Sequence, residues 1–437
     1  MAFSGWRSYA LVEPPVLLFF FGAVTSSLLV SRSRQYILGV NDSELPANFS
    51  NADNLPEVHA FVSELVMYKA FVDGLVPALL TFFLGPWSDS YGRKPLLVAA
   101  YQTGHFLLWS ILSSLGPLNP WIFLVASVPP ALVGGYYTLI LATYCYIADI
   151  RPESNRGWHL TWLQSVIPVG QVLGNLAGPR IWSNFGYAPV FATASVADAI
   201  ATIYVLFFVP ETVTRRDAKR PWRSLFDPSL IKDMFTTCVR KHDGFDRILI
   251  WCCVCALAIN MLIGEGELGI GYLFASARLG WGVSEYSWYL LAGSRRRCFA
   301  AMASMTIAVL ANASAFARSI AKACTTRSWH FYLSAFLGIL GGLSGPVIRN
   351  ALSKSAPPKE VGKVFSLTTS MEAIIPLASA PLYPMVYARY MPPIHPSPVY
   401  LVSAGLYACI ILIALTINWR ISKLFKLKNP PITAYFL

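Results

Sequence analysis

Long apolar runs, each broken off by a short polar segment, set the pattern of the chain. Measured against the ~20 apolar residues that cross a bilayer as a helix, the first half predicts six spans, at about 11–30, 64–84, 96–116, 120–147, 158–182 and 187–210. The second half predicts spans at about 248–274, 298–317, 329–348, 364–388 and 397–418. Between the seventh run and the next lies only the apolar stub 286–293, followed by Arg295-Arg296-Arg297. At ~1.5 Å per residue that stub is too short to cross ~30 Å of hydrocarbon.

Charge sets the orientation of these spans. Short loops rich in Lys and Arg stay in the cytosol, and Arg93-Lys94 place the polar stretch 85–95 there. With glycines, an acid and two bases, that stretch predicts a tight turn that acts as a switch. The segment 211–247 carries Arg215, Arg216, Lys219, Arg220, Arg223, Lys232, Arg240, Lys241 and Arg247 against six acids. It predicts a cytoplasmic connector between an N-terminal bundle at 1–210 and a C-terminal bundle at 248–418, with anionic lipid as a contact. The tail 419–437 is basic as well. Residues 31–63 hold only Arg32 and Arg34 as full cations and carry the sequons Asn41-Asp42-Ser43 and Asn48-Phe49-Ser50. This loop is expected outside or in a lumen, glycosylated at Asn48 in preference to Asn41, which lies close to the membrane.

Composition agrees with this layout. At 55% hydrophobic, 13% charged and a mean hydropathy of +0.52, the chain carries about half the charge usual in soluble proteins. It reads as an all-α multi-pass membrane protein. The net charge of +12 lies in loops beside apolar spans rather than on a compact basic face, so orientation and lipid explain it better than nucleic acid. The eight cysteines lack metal spacing, and Cys252, Cys253 and Cys255 fall in a span as packed thiols. No Gly-rich nucleotide loop, zinc spacing or nucleophile elbow occurs, so neither an enzyme active site nor a cofactor or metal is expected. No cleavable signal peptide is predicted.

The spacing of Gly85, Asp89 and Gly92-Arg93-Lys94 resembles the signature loop between the second and third helices of major facilitator transporters. Further words, Val12-Glu13-Pro14, Tyr146-Ile147-Ala148-Asp149, Gly345-Pro346-Val347-Ile348-Arg349 with Leu352-Ser353-Lys354, and Pro381-Leu382-Tyr383-Pro384, resemble solute carrier family 46, which includes the proton-coupled folate transporter. The likeness fades between about 281 and 325. It implies two six-helix halves that alternate access to a small organic solute, anionic or amphipathic, with protons as coupling ion, in a plasma or endolysosomal membrane. Eleven visible spans then leave the eighth truncated. Either 264–293 holds a broken helix and a re-entrant piece, or about twenty residues are missing relative to the family. A transport-inactive receptor or scaffold of the same fold is the alternative.

The resemblance also carries residue roles. Asp89 would accept hydrogen bonds from exposed N–H groups at a neighbouring helix start, and Arg93 would pair with Asp149 at the cytoplasmic end of the fourth span, closing the inner face. The folate branch has a glutamate in the fifth span and a histidine in the seventh. Here those positions are Gln164 and about Leu262, neither of which titrates. Arg349 matches a family arginine, serving either an organic anion or plain inside anchoring.

The residues themselves add candidates. Lys69 and Asp73, four apart, share one face of the second span at a depth where ionisable groups seldom meet lipid. An intrahelical pair with Lys69 reaching outward is the structural alternative. Gly264-Glu265-Gly266-Glu267 places two carboxylates in the seventh span, where the glycines are expected to loosen the helix as in discontinuous transporter helices. Lys69, Asp73, Glu265 and Glu267 are thus expected to line the outer half of one cavity, unless 264–267 already lies among headgroups. Tyr136, Tyr137, Tyr144 and Tyr146 offer either cavity lining or packing.

Overall fold

The computed structural model describes residues 12–25, 56–100, 103–116, 118–151, 153–213, 247–281, 305–355, 361–390 and 395–428, together with Ser229, Lys232, Thr236 and Tyr289. The described residues are helical throughout, without a strand. In chain order the helices are α1 (Glu13–Thr25), α2 (Pro56–Tyr91), α3 (Lys94–Ala100), α4 (Thr103–Ser114), α5 (Pro120–Ala126), α6 (Val128–Ala131), α7 (Gly135–Ile150), α8 (Glu153–Phe185), α9 (Tyr187–Phe208), α10 (Arg247–Leu279), α11 (Met305–Ala323), α12 (Ser328–Leu337), α13 (Ser344–Ser355), α14 (Val361–Arg389) and α15 (Pro398–Lys428). The sequons at Asn41 and Asn48, the triplet Arg295 to Arg297, and so the question of the eighth span lie outside the described residues.

Among the described residues, seven stretches are long and apolar enough to cross a membrane: Phe71–Asp89, Lys94–Ser114, Pro120–Ile150, Tyr187–Phe208, Arg247–Gly271, Ser328–Ser355 and Pro398–Ile421. Their outer faces are apolar. On α9, Val196, Ile200, Ile203 and Phe207 recur at helical spacing and are each more than half exposed. Water would not tolerate such a stripe on every helix; lipid does. The opposite face, with Val190, Phe191, Ala194, Ala197 and Ala201, is buried.

The fourth predicted span shows how sequence cuts a helix. Pro120 opens α5, and the Asn119 side chain accepts a hydrogen bond from the Trp121 N–H at 3.1 Å. Pro129 and Pro130 lack the N–H that a continuing helix needs. The chain pauses at Ser127 and again at 132–134 before α7 resumes.

The second and seventh spans differ from expectation. The stretch from Gly85 is not a turn: α2 runs unbroken to Tyr91, and the turn is confined to Gly92 and Arg93. Pro77 and Pro86 are both accommodated inside that helix. In α10 the glycines do not unwind the backbone, which stays helical through 264–267. Gly266 instead makes room, since a Cβ there would overlap the ring of Tyr383.

The chain forms two compact units. The first comprises Met1–Ile150, Trp162–Ile231 and Phe365–Leu377; the second comprises Arg151–Thr161, Lys232–Val364 and Ala378–Leu437. In the first, α9 packs on α1 and α4, and α7 packs on α2 and α3. Its aromatic core joins Trp109, Phe123 and Phe191, with Trp109 edge-on to Phe191 at 5.3 Å. Thr81 and Ser370 share a hydroxyl contact of 2.7 Å. In the second, α15 packs on α10 and α11, while α13 packs on α10 and α11. Buried polar groups tie the last three together: Asn260 donates to Ser344 at 3.1 Å, and Ser344 donates to Asn312 at 3.0 Å.

The two glycines of α10 predict opposite responses. Gly264→Ala meets open space and gains helix propensity, so it is neutral or stabilising by up to about 1 kcal/mol. Gly266→Ala must displace Tyr383 and costs about 1–3 kcal/mol. Thermal unfolding of the two variants in detergent checks the difference.

Candidate functional site

The ends of four helices of the first unit meet at one turn. Arg93 sits in the turn between α2 and α3 and is only 3% exposed. Its Nε donates to Asp149 Oδ2 at 3.0 Å, and its two terminal nitrogens donate to Asp89 and to the Ser88 hydroxyl. Asp89 lies in the last turn of α2 and Asp149 in that of α7. A helix C-terminus carries partial negative charge and disfavours a carboxylate. The cation shared between them offsets that cost. Burial alone would lower the pKa of Arg93, but the neighbouring Cys145, Asp89 and Asp149 outweigh it and hold the group above its ordinary value.

A third carboxylate, which sequence reasoning counted only among the connector's acids, completes the turn. Glu211, three residues past α9, accepts the backbone N–H of Arg93 at 2.8 Å and that of Lys94 at 3.1 Å. These are the free donors at the start of α3, where an acid is favoured. Glu211 is thus the acid at the start of α3, while one oxygen of Asp89 is held by the Arg93 side chain. Gly92 is required here twice over. Its φ of 123° lies in the left-handed region, and a Cβ would fall within the Glu211 carboxylate. Thr212 adds a hydroxyl to Asp149 at 3.2 Å, and the Lys94 ammonium donates to the Leu206 carbonyl at 2.6 Å. Gly85 accepts the Ser88 hydroxyl at 2.8 Å. The turn thus brings together Gly85, Asp89, Gly92, Arg93 and Asp149, and adds Ser88, Glu211 and Thr212. The available signal for Glu211 was an acid placed directly after an apolar span in Pro210-Glu211-Thr212.

Other expected residues lie elsewhere. Lys69 and Asp73 pair with each other on α2, with the ammonium 5.9 Å from the Trp109 ring centre. Gln164 on α8 donates to the buried hydroxyl of Tyr144, whose ring packs 5.7 Å from Phe365. His105 is a packed histidine, its Nδ1 3.0 Å from the Ala126 carbonyl. These groups belong to the first unit. Glu265, Glu267 and Arg349 belong to the second.

In the second unit Glu267 is the centre of a buried charge cluster. Lys322 donates to its Oε2 at 2.7 Å, Ser319 to its Oε1 at 3.2 Å, and the Arg318 guanidinium lies 3.6 Å away. Arg318 also donates to the Tyr407 hydroxyl at 2.9 Å, while the Lys322 ammonium stands 5.2 Å from the Tyr400 ring centre. The two bases, four apart on α11, face one acid on α10. That spacing within an apolar run was the overlooked signal. Glu265 lies two residues away on the same helix and forms no ion pair among the described residues. Arg349, half-buried on α13, lies beside Gly345.

The comparisons with known proteins agree with one another. A family model of the Major Facilitator Superfamily matches residues 67–295. A probable peptidoglycan muropeptide transporter SLC46 from Drosophila melanogaster is 24% identical over 359 residues, 76% of this chain and 69% of its own. The proton-coupled folate transporter of Rattus norvegicus is 26% identical over 396 residues, covering 86% of this chain and 85% of its own. In fold, the chain is similar to the human organic anion transporter MFSD10 (TETRAN), with a TM-score of 0.73 at 13% identity over 93% of this chain and 99% of that one.

Two substitutions test these clusters as structure. Glu211→Ala leaves two backbone donors unmet and lowers stability by about 1–3 kcal/mol. Glu267→Met strands buried cations and costs about 3–5 kcal/mol, part of which returns when Lys322→Met is added. Thermal unfolding of the single and double variants reads both, and an undiminished Glu267→Met protein contradicts the charge-cluster account.

Proposed function

Since this chain belongs to the Major Facilitator Superfamily, we propose that the Arg93 turn is the inner gate of a secondary transporter for a small organic anion. The protein is a multi-pass membrane transporter and not an enzyme, and its relatives include transporters of the solute carrier 46 family. The observation that carries the gating reading is the junction of four helix ends at one turn, where the ends of α2 and α7 hold the buried Arg93 guanidinium and Glu211 after α9 holds the backbone at the start of α3. Such a contact lies at the membrane surface, so its charges can be rehydrated when it opens, at a modest cost that solute binding can supply. Gly85 and Gly92 shape the turn, and Asp89, Arg93 and Asp149 hold it.

The names of two relatives specify folate and muropeptides. Folate and muropeptides carry carboxylates, which supports an anionic solute here, with Arg349 as the cation that attracts it. Lys69, Asp73 and Gln164 serve as solute contacts in the first unit. Of the two carboxylates on α10, Glu267 is committed to Lys322 and Arg318, which leaves Glu265 to take up a coupling proton. Membrane lipid surrounds the protein in a plasma or endolysosomal membrane, and Asn48, with Asn41, carries the glycan on the outer loop.

The reading predicts that Asp149→Asn lowers uptake of radiolabelled folate or muropeptide by about tenfold, equivalent to ~1.4 kcal/mol, at unchanged surface expression. Undiminished uptake in cells expressing the variant rejects the gate. Glu265→Gln should abolish the stimulation of uptake by external acid while leaving binding at neutral pH intact. An unchanged pH profile removes Glu265 from proton coupling.

A further inference from the structure

Away from the gate, α10 and α15 enclose a groove that no transport step uses. Its volume is about 430 Å³, and it is lined by Arg247, Ile248, Trp251, Cys252, Cys255 and Ile413. That volume is within the roughly 300–1,000 Å³ of small-molecule sites, whereas the surface that ordinary lipid covers is convex. We propose that the groove holds one anionic phospholipid of the cytoplasmic leaflet, its phosphate on Arg247 and one acyl chain along the apolar wall.

Three observations select this occupant. Arg247 is the first residue of α10, and it is exposed and without an ion pair among the described residues. An exposed cation without an ion pair favours an anion at this mouth. The wall behind it is almost wholly apolar, made of isoleucine, indole and thiol. A polar solute or peptide laid there would lose its hydrogen bonds to water without replacement, whereas a hydrocarbon chain loses none.

Depth gives the third. From Arg247 to Cys255 the helix rises about 12 Å, so the groove runs from headgroup level well into the hydrocarbon. Trp251 lies one turn in, and Trp419, more than half exposed, stands near the end of α15; tryptophans at such positions mark the interface. Arg420 lies seven residues beyond Ile413 on α15 and hence on the same face, setting a second cation at headgroup level. A basic mouth over an apolar cleft between spans at the cytoplasmic side matches the chemistry that holds anionic lipid headgroups. The inference needs the orientation but not the gate.

The full-length protein in phosphatidylcholine nanodiscs, doped with photoactivatable phosphatidylserine or photoactivatable phosphatidylcholine, tests this. Mass spectrometry reads labelling of the peptide that contains 247–255. Phosphatidylserine should label it about fivefold more than phosphatidylcholine, equivalent to roughly 1 kcal/mol. The ratio should fall to about one in Arg247→Gln, persist in the charge-keeping Arg247→Lys, and both lipids should label less in Cys255→Trp, which fills the groove. Equal labelling of the unaltered protein overturns the proposal without recourse to any variant. So does an undiminished ratio in Arg247→Gln, or an intact mass showing an acyl chain joined to Cys252 or Cys255, since that chain would occupy the groove itself.

Discussion

A guanidinium removed from water beside transmembrane helices must find carboxylates close by, and the position of Arg93 imposes that demand on the ends of α2 and α7 while its backbone makes its own demand on the segment after α9. The last turn of α2 supplies Asp89, the last turn of α7 supplies Asp149, and the segment after α9 supplies Glu211 to the backbone of the turn itself. Each of these acids would be poorly placed without the others. Two stand at helix C-termini, where the dipole opposes them, and the third accepts the backbone N–H groups of Arg93 and Lys94 as well as those of Thr212 and Val213 beside it. Removing the cation leaves two carboxylates at helix C-termini without their partner, and removing either carboxylate takes a partner from a buried cation. The ends of four helices are thereby fixed relative to one another within the first unit.

The charge cluster of the second unit works under a different constraint. Glu267 lies on a span and is nearly inaccessible, and Lys322 and Arg318 reach it from the last turns of α11. Separating them would leave buried charges unpaired, at a cost of several kcal/mol. Such a cluster is suited to holding α10 and α11 together through a transport cycle, whereas the turn at the membrane surface is suited to opening. The two clusters use similar residues, and depth decides what each can do.

Much of the architecture was legible because lipid imposes a simple rule on sequence. The apolar runs, the basic connector and the Gly85, Asp89, Gly92, Arg93 spacing pointed to a major facilitator fold, and the family match agrees. What could not be read were contacts whose partners are remote in the chain. Glu211 serves N–H groups 118 and 117 residues away, and backbone donors leave no trace in a list of side chains. Lys322 meets Glu267 across 55 residues, so the acid stood out in the sequence while its partner did not. The glycines of α10 misled for a related reason. Gly266 reads as a point of flexibility, but its use is set by the bulk of Tyr383 on another helix.

The central claim is that Arg93 and Asp149 act as a coupled pair. A double-mutant cycle measures it directly: Arg93→Ala, Asp149→Ala and the combination, each unfolded thermally in the same detergent. The account predicts that the double variant is more stable than the sum of the single losses implies, by at least about 1 kcal/mol. Strict additivity, with each substitution acting as though the other residue were absent, would contradict it.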